Sequence, residues 1–181
     1  SGTLVSASMS GMAGITLAAN ALALTYNSAT SGQRVADFSG SNTTGISIGA
    51  RTLNLSADAA LGELLQASGF AELDVAGFVS LSGIFGFSKS GTDLVAVGSS
   101  VNAALSAGSA AYAKLNNASF GLRSGVGKTA FELKNGTFEA AISGMASLSA
   151  SSVLVQYTSG VDSAVAAATT LNVGASSYTF S

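Results

Sequence analysis

The chain has 181 residues, of which 48% are hydrophobic, 7% aromatic and 9% charged; its net charge is −2, and it contains no His, Cys, Pro or Trp. Without His or Cys there is no imidazole base, thiol nucleophile, disulfide, or thiolate or imidazole metal site. Seven scattered cations form no basic surface for nucleic acid, and low charge with recurrent aliphatic runs excludes a disordered chain.

The opening residues, Ser1 to Val5, have neither an initiator Met nor a basic segment, as expected of a mature or excised piece. No run of 18 apolar residues escapes interruption by Ser, Thr, Asn or Gly, so no membrane span is expected. The first clear strand signal is Leu22, Leu24 and Tyr26, which alternate with smaller residues. The segment from Asn27 to Thr44, rich in Ser, Thr, Gly and Asn, reads as a loop. From Ser56 to Gln66, an N-cap candidate precedes Leu61, Leu64 and Leu65 at helical spacing, which predicts a short corner helix.

Between Glu72 and Phe87 the period changes to two. Leu73, Val75, Val79, Leu81, Phe85 and Phe87 are apolar, and the positions between them are mostly small or polar. Glycines at 77, 83 and 86 predict bends or close backbone approach there. The stretch from Ser99 to Leu105 is a weaker corner-helix candidate, and Val153, Val155 and Tyr157 restore strand alternation.

The chain also repeats itself. Gly2, Gly69 and Gly136 open three similar segments at intervals of 67 and 67 residues; Gly11, Gly77 and Gly144 follow at intervals of 66 and 67. The first and third segments share Ser-Gly-Met-Ala (Ser10 to Ala13, Ser143 to Ala146), which suggests a longer period of about 134 residues. Small residues, two-faced strands and a fixed repeat predict one all-β domain over residues 1–181, a β-solenoid-like stack with short corner helices, with a β-sandwich as the alternative. An eight-stranded membrane barrel fits the length, but thirteen aromatics without paired interfacial placement weigh against it.

Candidate chemistry is sparse. Ser124 to Thr129 reads SGVGKT, but a phosphate-binding loop needs its first Gly at position 122, where Leu122 stands. A turn between strands is expected instead. Glu72 and Asp74 share one strand face and could form half of a Ca²⁺ site, with no second cluster to complete it. No catalytic residue and no cofactor are assigned, and the chain is not expected to be an enzyme.

The run from Phe78 to Lys89, FVSLSGIFGFSK, preceded by SGFAEL from Ser68, resembles modules tandemly repeated in giant secreted bacterial proteins. Leu115 to Leu122 and the Asn42 to Gly45 tract fit the same pattern. That resemblance implies an extracellular or cell-surface structural polypeptide: a segment of a filament, surface layer or adhesin stalk whose partner is itself. An adhesin module that binds glycans or abiotic surfaces through Tyr26, Tyr112, Tyr157 and the Asn27 to Thr44 loop is the alternative.

Overall fold

The computed structural model describes residues 2–9, 15–30, 33–39, 44–55, 57–75, 78–108, 110–145, 147–160 and 168–181. Twelve strands account for nearly all of its regular structure: β1 (Gly2–Met9), β2 (Ile15–Asn27), β3 (Thr44–Ile48), β4 (Arg51–Leu55), β5 (Leu64–Val75), β6 (Val79–Ser90), β7 (Asp93–Ser106), β8 (Ala111–Gly125), β9 (Lys128–Ile142), β10 (Leu148–Ser159), β11 (Thr170–Val173) and β12 (Ser176–Thr179). Eight of them form one antiparallel sheet in the order β1-β2-β5-β6-β7-β8-β9-β10, while β3–β4 and β11–β12 are separate hairpins. The chain is therefore all-β, as the alternation predicts. Its sheet is an antiparallel meander, with the separate β3–β4 hairpin inserted between β2 and β5, and the described residues show neither stacked rungs nor a closed barrel.

The expected corner helices do not form. Ser56, the N-cap candidate, lies outside the described residues, and residues 57–66 yield a single 3-10 turn at Ala59–Leu61, capped by the Asp58 carboxylate on the Ala60 N–H at 2.8 Å. Gly62 stops it in the left-handed region (φ 64°), and Leu64 and Leu65 go straight into β5. The stretch 99–105 lies within β7, where cross-strand pairing outweighs a weak helical pattern. The 72–87 alternation is a hairpin: β5 and β6 pair in register from Leu65↔Lys89 to Val75↔Val79, so its odd positions stay on one face on both sides of the turn. The SGVGKT run closes β8 onto β9 through a two-residue turn.

Register assigns every strand of the sheet from β5 to β10 two unlike faces. Nine of the ten charged residues on the sheet lie on one face: Glu72, Asp74, Asp93, Lys114, Arg123, Lys128, Glu132, Lys134 and Glu139. The other face carries Leu65, Leu73, Phe85, Phe87, Leu105, Leu115, Phe120, Phe131, Leu133 and Phe138, with Lys89 as its one charge near a strand end. A cluster of Phe85, Val101 and Ala118 is buried on this apolar face, with Phe120 and Leu133 packed against it. Phe85 pairs with Gly69 and Gly98, and the Phe120 ring lies against Gly98, so glycines make room for rings.

A row of irregularities crosses the sheet. Ala21, Ser100, Asn117, Asn135 and Ser152 all have positive φ, and register shifts accompany them in β2–β5, β6–β7, β7–β8 and β9–β10. Such bulges increase local twist. Opposite Ala21 sits Gly69, where an added Cβ would lie 2.9 Å from the Ala21 carbonyl oxygen.

Candidate functional site

Among the described residues, the densest set of buried polar contacts lies beneath the β11–β12 hairpin. β11 and β12 pair from Thr170↔Thr179 to Val173↔Ser176, and the alternation Leu171, Val173, Tyr178, Phe180 turns one side inward. That side packs on the polar face of the sheet against Val97 and Ala130. Two glycines let it approach. A Cβ at Gly86 would come within 2.8 Å of Val173 Cβ, and the Tyr178 ring lies against Gly121. Tyr178 meets Phe180 edge-on, with ring centroids 5.4 Å apart at 84°.

Glu132, in the middle of β9, is 1% exposed and receives the hairpin's end. Its Oε1 accepts from the Tyr178 hydroxyl at 2.7 Å, the Ser181 N–H at 2.9 Å and the Ser181 hydroxyl at 3.1 Å. Oε2 accepts from the Gln156 amide of β10 at 2.6 Å. The Lys134 ammonium stands 3.3 Å from Oε1 and donates to the Thr179 carbonyl at 2.6 Å and to Ser181 Oγ at 3.0 Å. It also lies 5.0 Å from the Tyr178 ring centroid.

This burial works to raise the Glu132 pKa, but the hydrogen bonds from Gln156, Tyr178 and Ser181 outweigh it and hold the carboxyl at about 2. Burial, with the hydrogen bond to Glu132 and its charge, pushes the Tyr178 hydroxyl far above its ordinary value. A carboxylate ionised at every physiological pH, with both oxygens occupied by donors, is poorly suited to proton transfer. It is suited to hold two strands and the segment that follows β12 in one arrangement, as a latch.

The residues singled out from the sequence are dispersed. Tyr26 and Tyr157 are exposed on the apolar face, but they lie on β2 and β10 with five strands between them. Tyr112 lies on the polar face with the Lys114 ammonium 4.7 Å from its ring centroid. The structure does not bring the three together. Glu72 and Asp74 share the polar face of β5, and no group of three or more acidic side chains gathers as a cation site among the described residues.

Of the repeat glycines, Gly69 and Gly136 fall within β5 and β9 on the row of bulges, and Gly2 lies in β1. Gly144 is in the turn from β9 to β10; Gly11 and Gly77 lie outside the described residues. The three similar segments correspond to β1–β2, β5–β6 and β9–β10, hairpins that point the same way in the sheet.

Sequence reasoning missed the latch. A local signal existed, since Glu132 and Lys134 share a strand face flanked by Phe131 and Leu133. Tyr178 and Ser181, which complete it, are 46 and 49 residues away. No protein-family model, curated protein or solved structure matches the chain. No helix among the described residues is long and apolar enough to cross a membrane.

Proposed function

We propose that the chain is a structural segment of an extracellular or cell-surface assembly, joined to its neighbours through the edges of its sheet. The carrying observation is that, among the described residues, β1 and β10, of 8 and 12 residues, each pair on one side only. An unpaired strand edge is a template for another strand. Eight alternating strands place β1 and β10 antiparallel to each other. A copy related by simple translation therefore offers its β1 to β10 in the antiparallel sense, and such a head-to-tail contact does not close.

The internal repeat supports the same reading, because β9–β10 stands where a further β1–β2 would start the pattern again. The function is mechanical, with the sheet bearing load along its hydrogen-bonding direction and the Glu132 latch fixing the C-terminal hairpin on it.

Ser151 tests this. It stands at the β9–β10 register shift, where no Cα partner in β9 is assigned to it, so Ser151→Pro is expected to leave the regular β9–β10 pairs in place while disturbing the outer edge. Light scattering of the parent chain is expected to keep rising with concentration, and that of Ser151→Pro to level off at a small species, no larger than a dimer. A parent that stays a compact monomer over a wide concentration range overturns the proposal.

A further inference from the structure

We infer that the apolar face of the sheet is a second contact surface, covered by the apolar face of another copy of this chain. Among the described residues the β11–β12 hairpin covers part of the charged face, while the apolar face buries its Phe85, Val101 and Ala118 cluster within itself and leaves large apolar side chains exposed around it. Leu65, Phe87, Leu105, Ile142, Leu148 and Tyr157 are all exposed on it. In water, a sheet face with one charge among ten on the whole sheet is normally buried against another layer.

The face suits a second copy in extent and anatomy. Eight strands about 4.8 Å apart and about twelve residues at 3.3 Å cover on the order of 1,500 Å². Two such faces together remove about 3,000 Å², within the range of obligate homodimers. Two open cavities of about 460 and 320 Å³ lie side by side on this face, sharing Leu105 and Ala113, and they can receive side chains from an opposing layer. The polar-tipped groups sit at the periphery, Tyr26 and Tyr157 toward the two edges and Lys89 near a strand end, while the centre is Phe, Leu, Val and Ala. An apolar centre with a polar-tipped rim is the anatomy of a protein–protein interface. Stacked in this way, two copies form a sandwich with charged faces and hairpins outward.

This contact is independent of edge joining, and the test separates the two. The whole chain carrying Ser151→Pro is sedimented alone, with Leu105→Glu on the apolar face, and with Ile84→Glu, an exposed position on the charged face. Circular dichroism verifies folding, and Phe87→Glu repeats the apolar-face test if Leu105→Glu does not fold. A dimer is expected for Ser151→Pro and for the Ile84→Glu combination. The Leu105→Glu combination is expected to have half that mass. Two results overturn the inference: a Ser151→Pro monomer at every concentration, or a mass unchanged by Leu105→Glu and Phe87→Glu. Flotation of the Ser151→Pro chain with phosphatidylcholine vesicles, with loss of the dimer, also overturns it and assigns the face to lipid.

Discussion

Replacing Glu132 with Gln keeps the side chain's shape and removes its charge, so it isolates what ionisation contributes to the latch. A carboxyl held at about 2 in the folded chain, against 4.5 unperturbed, corresponds to about 3 kcal/mol of stability, as an order of magnitude. The folded-state pKa is depressed, so this stability is present above about pH 4.5 and fades as the pH falls toward 2. At pH 7 the Gln variant also turns an amide N–H₂ toward donors from Gln156 or Tyr178, where the parent offers only acceptors. For a chain of this size a 3 kcal/mol loss lowers the melting temperature by roughly 6–12 °C. The assay is urea and thermal unfolding by circular dichroism at pH 7, 5, 4 and 3. The parent is expected to lose stability steeply below pH 4.5, and Glu132→Gln to start lower and change less. A variant as stable as the parent at pH 7, with the same acid limb, would refute the claim that the ionised carboxylate holds the hairpin.

Four further substitutions probe neighbouring contacts by the same unfolding measurements. Tyr178→Phe removes one donor to Glu132 and is expected to cost about 1–2 kcal/mol. Gly121→Val pushes a side chain into the Tyr178 ring; a cost of about 2–3 kcal/mol is expected, with increased proteolysis near residue 168 as the hairpin lifts. Gly127→Ala sits in the β8–β9 turn at φ 68° with open space around it, so only the backbone penalty of about 1 kcal/mol should appear. The Asp93–Arg123 pair, at 3.3 Å and partly exposed, predicts less than about 1 kcal/mol for Asp93→Asn.

The strands were legible because their alternation is local. Leu73 to Phe87 kept one face throughout, and the structure preserves that parity by turning the chain between Val75 and Val79. The corner helix at 56–66 misled because Leu61, Leu64 and Leu65 have helical spacing, while Gly62 ends the turn and Leu64 pairs with Asn27 in the sheet. The segregation of charge was visible only in pieces. Glu72 and Asp74 showed it within one strand, but the common face of Lys114, Arg123, Glu132 and Glu139 depends on the β8–β9 register. The latch lay furthest from view. Hydrogen bonds that join β9 to Tyr178 and Ser181, nearly fifty residues on, leave no mark on local periodicity.

The central claim is that copies join edge to edge, and the most direct measurement is electron microscopy of the purified chain with analysis of its periodicity. Edge joining predicts elongated ribbons with a repeat of about 38 Å along the ribbon, eight strands at about 4.8 Å each. Isolated particles at every concentration, or assemblies without that repeat, would contradict it.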